Sequence, residues 1–230
     1  MAIILYGART SPFVEKVYRG LRIKQLAFQL HQPRTLRDLR LNNPTTGKMP
    51  VLELEGRQLF DSTLILRALN VYKPDPPFLD TDPSRAVQQQ LLEDWADESL
   101  YWYGMAFRWT IRTNAARTIS LFQDSFPAAL RPILKILVPR MMAIQVRAQG
   151  TGRLPVEVLQ TELDGHLANL VSLLGNGPFF FAAERPSIAD LAIFGQLSFL
   201  RAKGVPETRA AVERMPALTD FYRRLEAITA

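Results

Sequence analysis

The chain contains no cysteine and only two histidines, His31 and His166, among its 230 residues. The lack of cysteine excludes disulfide bonds, thiolate metal sites and a cysteine nucleophile. Two isolated histidines are too few for a typical histidine-based metal cluster, so we expect no bound metal. The composition permits a reducing compartment, and we expect a cytoplasmic protein.

Long apolar runs are also missing from the sequence. The first residues, MAIILYGART, are apolar over only a short stretch and lack the basic flank and cleavage site of a secretory signal. The most hydrophobic later window, residues 133–146, is interrupted by Lys135, Pro139 and Arg140. A membrane-spanning helix needs about 20 consecutive apolar residues, so we predict neither a signal peptide nor a transmembrane helix.

A strong excess of charge is absent as well. Charged side chains make up 22% of the chain and apolar ones 47%, a balance typical of folded globular domains. The net charge of +6 arises mostly in the first 80 residues, where it slightly favours anionic ligands. The basic residues accompany no recognised nucleic-acid motif, so we expect no nucleic-acid partner.

Proline is concentrated in one segment, KPDPPFLDTDPS at residues 73–84, which holds four prolines. Proline cannot continue a helix, and the regions on either side have different hydrophobic periodicities. We therefore predict one domain over residues 1–73 and a second over 85–230, joined by a linker over 74–84.

The first domain alternates between strand and helix periodicity, whereas nearly every segment after the linker is helical. Glu55 and Gly56 separate two short β runs at the spacing of a hairpin. The predicted order is βαβαββα, with strands over 2–6, 27–31, 51–54 and 57–60 and helices over 12–24, 34–41 and 62–72. The fold class is therefore an α/β domain followed by an all-α domain.

Ser11 lies between the first strand and the first helix, in the tetrapeptide Thr10-Ser11-Pro12-Phe13. Proline at the first helical position makes Ser11 the N-cap, at the positive end of the helix. Its hydroxyl is either a capping group alone or a hydrogen-bond donor to an anion. No Ser-His-Asp triad is visible, so Ser11 is not expected to attack a substrate itself.

Two dipeptides also admit both a structural and a functional interpretation. Met49-Pro50 precedes a strand, and its peptide bond is either trans, as in most proteins, or cis. A cis bond would leave the backbone of Met49 able to pair with an extended peptide. Asp61-Ser62 precedes the last helix of the domain. It either caps that helix or uses the same geometry to bind a carboxylate, with Asp61 facing an ammonium group.

Taken in order, these features resemble the cytosolic glutathione transferase superfamily. The resemblance rests on SPFVEKV, NPTTGKMPVLELEG, LFDSTLILRAL, the proline-rich linker and PSIADLAIF, and it covers nearly the whole chain. It implies a thioredoxin-like first domain that binds glutathione as a co-substrate. The helical second domain would supply the pocket for a small hydrophobic electrophile. Ser11 falls where the serine-type classes, similar to tau and zeta, carry their catalytic hydroxyl.

The resemblance also assigns roles to other residues. It implies that Pro50 is cis and that the backbone of Met49 pairs with the cysteinyl part of glutathione. Asp61 and Ser62 would hold the γ-glutamyl end, and Lys48 lies where some classes place a basic side chain near the tripeptide. A homodimer and a role in detoxification are further implications.

The predicted activity is attack of the glutathione sulfur on a hydrophobic electrophile. The alternative is a glutathione-transferase-like binding or scaffold protein without turnover, with peripheral membrane association as an option. Lowering a thiol pKa of 8.5 by about two units requires roughly 2.7 kcal/mol. A hydrogen bond to a charged group contributes about 1.5 to 3 kcal/mol, and a helix N-terminus about 0.3 to 1. Ser11 and its helix are therefore sufficient to lower the pKa of the thiol by that amount.

The residues assigned to the electrophile pocket are Phe13, Tyr103, Phe107 and Arg108.

Residues 107–153 form one more feature with two interpretations. They carry eight basic side chains and one acidic one, Asp124, with apolar residues interleaved. Such a stretch either lies on an anionic membrane surface or is a solvated basic face beside a buried helix interface. The second interpretation is the more usual one, so the sequence argues against membrane association.

Overall fold

A computed structural model describes residues 2–33, 43–122 and 128–230. In these ranges the chain forms four strands: β1 (Ile3–Tyr6), β2 (Phe28–His31), β3 (Val51–Leu54) and β4 (Arg57–Phe60). Its α-helices there are α1 (Pro12–Ile23), α2 (Ser62–Tyr72), α3 (Pro83–Trp95), α4 (Tyr101–Trp109), α5 (Arg112–Phe122), α6 (Arg131–Gln149), α7 (Val156–Leu174), α8 (Ile188–Leu200), α9 (Pro206–Glu213) and α10 (Pro216–Ile228). The helix predicted over 34–41 lies outside the described residues.

The four strands form one mixed sheet in the order β2-β1-β3-β4. β1 is parallel to β2 and antiparallel to β3, and β3 is antiparallel to β4. The predicted hairpin joins β3 to β4, with Glu55 at φ 52° and Gly56 at φ 77°. Positive φ at both turn residues is typical of the tight turns that match strand twist. A thioredoxin-like sheet domain followed by helices confirms the predicted fold class.

The register of the sheet places three loops at one end of it. Tyr6 of β1 is opposite Val51 of β3, and Val51 is opposite Phe60 of β4. The chain therefore leaves β1, enters β3 and leaves β4 at the same end of the sheet. Because neighbouring strands lie about 4.8 Å apart, the segments that follow Tyr6, precede Val51 and follow Phe60 are close together.

The contacts divide the chain into two compact units. The first comprises residues 1–96, 174–199 and 220–230, and the second comprises 97–173 and 200–219. The boundaries that the sequence predicts at residues 73 and 84 stay a prediction. The hydrophobic core of the first unit lies between the sheet and helices α1, α2 and α8, and consists of Ile3, Leu5, Val14, Val17, Leu21, Leu52, Leu54, Ile65, Leu66, Leu69, Phe78, Ile188 and Leu191.

A buried lysine fixes the proline-rich segment to the end of α1. The ammonium of Lys24 donates to Asn70 Oδ1 (2.9 Å) and to the carbonyls of Pro74 (3.2 Å) and Pro76 (2.5 Å). It also lies 4.2 Å from the centre of the Phe78 ring. Burial lowers the pKa of Lys24 to about 8. The ammonium is held by neutral oxygens and a ring, which anchor this segment.

The second unit is entirely helical within the described residues. Asn114 of α5 donates to the carbonyl of Phe107 on α4 (3.0 Å) and to Glu207 Oε2 on α9 (2.8 Å), so one amide connects three helices. The rings of Tyr103 on α4 and His166 on α7 meet edge to face at 4.8 Å. Burial lowers the pKa of His166.

Helix α6 has one packed face and one exposed face: Val146 is buried, and Leu134, Val138 and Met142 are half-buried. Other apolar side chains form a solvent-exposed stripe, which we call the α6 stripe: Ile133, Ile136, Leu137, Met141 and Ile144. Each of these side chains is at least 47% exposed. The choice between the two interpretations of residues 107–153 therefore stays a prediction. No helix in the described ranges has the combined length and apolar character to cross a bilayer.

The start of α8 is fixed by a buried carboxylate. Asp190 accepts hydrogen bonds from the N–H (2.7 Å) and the hydroxyl (2.6 Å) of Ser187, and from the N–H of Phe180 (3.0 Å). The bond from the Ser187 N–H to the Asp190 carboxylate is the one that the acidic residue of a capping box accepts. Burial raises the pKa of Asp190 from 3.8 to about 6, although the three hydrogen bonds oppose the change.

This pKa predicts a pH dependence of stability. The folded state binds the Asp190 proton more tightly than the unfolded state does. Protonation of Asp190 therefore makes its full contribution to the unfolding free energy below about pH 4, and this contribution is lost as the pH rises to about 6. The difference in unfolding free energy between wild type and Asp190→Asn should therefore fall by about 3 kcal/mol from pH 4 to pH 7. Urea denaturation at both pH values measures it, and an unchanged difference would contradict the assignment.

Candidate functional site

The site lies at the end of the sheet where the three loops converge. Gly7, which follows β1, has φ 146°, and a Cβ atom there would lie 3.4 Å from Cβ of Met49. It would also lie 2.4 Å from a methyl of Val14, so no larger residue fits. The loop before α1 and the loop before β3 are therefore in direct contact.

Ser11 is the N-cap residue of α1, as the sequence predicts. Its backbone is extended, with φ −83° and ψ 129°, and its N–H donates to the carbonyl of Ala8 at 2.9 Å. The half-buried hydroxyl makes no capping hydrogen bond to the first turn. The side chain therefore remains available to a ligand at the positive end of α1.

The peptide bond between Met49 and Pro50 is cis, which confirms the implication of the resemblance. Met49 is half-buried, and its N–H and C=O form no backbone hydrogen bond within the described part of the chain. The neighbouring Lys48 is exposed, and its carbonyl accepts from Asn43 Nδ2 at 2.9 Å. An extended backbone segment of a ligand has a pairing partner in Met49.

Asp61 caps α2 from an unusual backbone conformation. Its carboxylate accepts from the N–H groups of Thr63 (2.9 Å) and Leu64 (3.1 Å), while its φ is 70° and its ψ 130°. Non-glycine residues with such angles cluster at ligand sites, where surrounding contacts hold them. Ser62 is buried at the first position of α2, and neither its N–H nor its hydroxyl has a hydrogen-bond partner among the described residues.

A buried ion pair lies directly behind this helix end. The ammonium of Lys16 on α1 contacts the carboxylate of Glu93 on α3 and donates to Thr63 Oγ1 on α2 at 3.2 Å. The hydroxyl of Thr63 in turn donates to Glu93. Lys16 and Glu93 are almost completely buried. One cluster therefore ties α1 and α3 to the first turn of α2, next to Ser62.

A second set of charges, in which Glu15 and Arg19 are buried and Arg9 is exposed, holds the loop before Ser11. Arg9 donates through Nε and Nη2 to both oxygens of Glu15 (2.7 and 2.8 Å), and its guanidinium lies 4.0 Å from the centre of the Tyr18 ring. Glu15 also accepts from Arg19 Nε at 2.8 Å. Arg19 donates to Thr229 Oγ1 at 2.7 Å. A continuous chain of bonds thus runs from the C-terminal residues to the loop that carries Ser11.

Helix α8 closes the other side of α1. A Cβ atom at Gly195 would lie 2.4 Å from the carbonyl oxygen of Pro12. Only glycine therefore allows α8 to approach the first turn of α1 this closely.

The residues assigned to the electrophile pocket lie on two helices. Phe13 is half-buried on α1 of the first unit, while Tyr103, Phe107 and Arg108 lie on α4 of the second. Tyr103 is half-buried, whereas Phe107 and Arg108 are buried. Burial raises the pKa of Tyr103 and lowers that of Arg108 to about 10. Their assignment to a substrate pocket stays a prediction.

The structure adds site residues that the sequence did not indicate, namely Arg9, Glu15, Lys16, Glu93 and Gly195. The available signal was the presence of Glu15, Lys16 and Arg19 in a helix whose other residues are largely buried. Charged residues at such positions indicate buried pairs. Their partners are up to 210 residues away in sequence, so the pairs themselves cannot be found from spacing. Within the described ranges, no cluster of His, Asp and Glu has the arrangement of a metal site.

Comparison with known families identifies the fold. Residues 5–77 match the glutathione S-transferase N-terminal domain, and residues 145–224 match the glutathione S-transferase C-terminal domain. The chain belongs to the glutathione S-transferase superfamily. No curated protein sequence matches it.

Solved structures of the superfamily align with nearly the whole chain. A glutathione S-transferase from Methylobacterium radiotolerans, in complex with glutathione sulfonate, is 25% identical over 99% of this chain and 91% of its own, with a TM-score of 0.60. The tau class glutathione S-transferase from mango, Mangifera indica, is 17% identical over 100% of this chain and 93% of its own, with a TM-score of 0.63. FzlA from C. crescentus is 22% identical over 99% of this chain and 88% of its own, with a TM-score of 0.64. The last two show the fold alone.

The ion pairs of the buried Glu15 lead to a prediction about stability. Replacing Glu15 with Gln keeps the shape of the side chain but leaves two guanidinium groups without a carboxylate. Because Glu15 is buried, we expect the unfolding free energy to fall by about 3 kcal/mol. Glu213→Gln is a matched control, since Glu213 accepts from Arg209 at the same 2.8 Å on an exposed helix surface.

Denaturant titration measures both variants. The control should lose no more than about 0.5 kcal/mol, as exposed pairs do. Equal losses in the two variants would show that the Arg9–Glu15–Arg19 chain has no special structural role.

Proposed function

We propose that the protein is a glutathione transferase of the serine type, in which Ser11 stabilises the glutathione thiolate for attack on a hydrophobic electrophile. The observation that carries the proposal is the convergence of Ser11, Met49 and Ser62 at one end of the sheet, each with polar groups that make no capping or backbone hydrogen bond. Superfamily membership and the glutathione sulfonate bound to the Methylobacterium relative support glutathione as the ligand.

In this proposal the tripeptide lies across the three loops. The γ-glutamyl carboxylate accepts from the N–H and hydroxyl of Ser62, at the positive end of α2. Asp61 faces the γ-glutamyl ammonium while it continues to cap the helix. The cysteinyl backbone pairs with the N–H and C=O of Met49, and Lys48 is proposed to lie near the tripeptide. Each contact fixes one part of the ligand and so fixes the position of its sulfur.

The chemistry then depends on the thiol proton. The thiol releases its proton to solvent, and the hydroxyl of Ser11 donates a hydrogen bond to the resulting thiolate. The sulfur attacks the electrophilic carbon, a carbon–sulfur bond forms, and in a substitution the leaving group departs with the electron pair of its bond. Ser11 stabilises charge in this scheme and accepts no proton.

A binding protein without turnover is the alternative proposal. It requires the same loops to bind glutathione but no stabilisation of the thiolate. The pocket residues Phe13, Tyr103, Phe107 and Arg108 belong to the enzyme proposal alone. A homodimer, a role in detoxification and a cytoplasmic location remain predictions.

The decisive test compares Ser11→Ala with Thr10→Ala, which removes the neighbouring exposed hydroxyl. Loss of the Ser11 hydrogen bond should raise the pKa of bound glutathione by about 1 to 2 units and lower kcat/KM at neutral pH by about 10- to 100-fold. Thiolate absorbance against pH and turnover of an activated aromatic halide measure the two effects. Thr10→Ala should match wild type.

Asp61→Asn separates binding from activation. Asn is as good an N-cap as Asp, so α2 should stay folded, but the charge that faces the ammonium is lost. We expect glutathione to bind about 10-fold more weakly, with the pKa of the bound thiol unchanged. Tight binding to wild type without any thiolate signal would support the binding protein and contradict the enzyme.

A further inference from the structure

The loop that carries Ser11 closes on itself through one backbone hydrogen bond. The N–H of Ser11 donates to the carbonyl of Ala8 at 2.9 Å, so residues 8–11 form a tight turn with Arg9 in its second position. Among the described residues, the N–H groups of Ala8, Arg9 and Thr10 meet no acceptor. The hydroxyl of Ser11 makes no capping bond to α1. Its position therefore depends on what fastens this turn to the rest of the protein.

Arg9 is the side chain that fastens the turn. Its guanidinium donates to both oxygens of Glu15, at 2.7 and 2.8 Å, and lies 4.0 Å from the centre of the Tyr18 ring. A two-bond contact of this kind fixes the direction of the arginine as well as its distance. Glu15 is 3% exposed and lies in the first turn of α1. Arg9 therefore clamps the turn onto the helix whose N-cap is Ser11.

A second arginine holds Glu15 in place from behind. Arg19, which is 4% exposed, donates through Nε to Glu15 at 2.8 Å. Its Nη1 donates to the hydroxyl of Thr229 at 2.7 Å and to the carbonyl of Thr229 at 3.3 Å. Its guanidinium also lies 4.6 Å from the centre of the Phe194 ring on α8. Arg19 is thus fixed by α8 and by the residue that follows α10, and it passes that constraint on to Glu15.

We propose that Arg9 is a positioning residue for the hydroxyl of Ser11. Thr229 contributes to the same function from the far end of the chain of bonds, through Arg19 and Glu15. The inference rests on the proposed function, because it concerns the hydroxyl that stabilises the thiolate. Arg9 touches no reacting atom in this scheme and acts only through the turn that carries Ser11.

The effect of position can be separated from the effect of charge at this site. A positive charge near a thiolate also lowers the pKa of the thiol, but the carboxylate of Glu15, at 2.7 Å from Arg9, offsets that charge. Thr229 carries no charge, so replacing its hydroxyl changes only packing and hydrogen bonds. An effect of Thr229 on the bound thiol is therefore an effect of position.

Three variants test the proposal. Arg9→Met removes the clamp, Arg9→Lys keeps the charge without the two-bond geometry, and Thr229→Val removes the hydroxyl at nearly constant shape. Arg223→Met is a matched control, since it breaks an exposed contact of 3.2 Å with Asp220 on α10. Thr219→Val is the second control. Its hydroxyl, like that of Thr229, donates to a carbonyl one turn back, but accepts from no arginine in the described part of the chain.

Thiolate absorbance against pH, at saturating glutathione, gives the pKa of the bound thiol. We expect Arg9→Met to raise this pKa by about 1 unit and to lower kcat for the aromatic halide about 10-fold at neutral pH. Arg9→Lys should cause a smaller rise, and Thr229→Val a rise of about 0.3 to 0.5 units. KM for glutathione should change less than about 2-fold, because Met49 and the start of α2 still hold the tripeptide. The two controls should match wild type.

A double-mutant cycle decides whether Arg9 acts through Ser11. In the Ser11→Ala background, Arg9→Met should add no further rise to the thiol pKa, since the hydroxyl that it positions is gone. An equal rise in both backgrounds would show that Arg9 acts on the thiolate by its own charge, and would overturn the proposal.

The remaining outcomes separate this inference from the proposed function. A raised thiol pKa in Ser11→Ala, with the wild-type value in Arg9→Met and Thr229→Val, would overturn the positioning role and leave the serine-type transferase standing. That result together with a lower melting temperature would show that the chain of bonds is structural alone. An unchanged thiol pKa in Ser11→Ala would overturn both proposals.

Discussion

Helix α1 buries charged side chains, and the rest of the site depends on how they are paired. Glu15, Lys16 and Arg19 are each at most 4% exposed. A buried charge without a partner is strongly unfavourable, so each position forces another element into place. Glu15 holds Arg9 of the preceding loop, and Lys16 holds Glu93 together with the first turn of α2. The pairing therefore positions both helix ends at which the proposed ligand binds.

This pairing of buried charges explains how the site can hold unpaired hydroxyls on a backbone that is fixed in position. Ser11 and Ser62 keep hydroxyls that make no hydrogen bond within the described residues, yet the backbone that carries them is fixed from behind by buried groups. Asp61 keeps a backbone conformation with φ 70° while its carboxylate holds two N–H groups of α2. Pre-organised donors of this kind stabilise a charge without reorganising when it forms. The proposed activation of a thiol depends on such donors, which are in place before the thiolate forms.

The sequence predicts the fold class, the strands and the hairpin because periodicity, turn residues and proline act locally. It also identifies Ser11, Met49 and Asp61 as candidates, since caps and X-Pro bonds are local features. It does not reveal the chain from Arg9 to Thr229, because that depends on residues distant in sequence that only the packed structure brings together. Nor does it show which apolar residues of α6 are exposed and which are packed, because a helical pattern does not specify which face meets a neighbour.

A double-mutant cycle on Lys16 and Glu93 tests the central claim most directly. Each of Lys16→Met and Glu93→Leu should lower the unfolding free energy by about 3 to 5 kcal/mol, because one buried charge is left unpaired. The double variant should recover most of that stability. Its affinity for glutathione, measured by calorimetry, should nevertheless stay well below that of wild type, because Thr63 has lost both partners. Wild-type affinity in the double variant would contradict the claim that buried charges on α1 position the site.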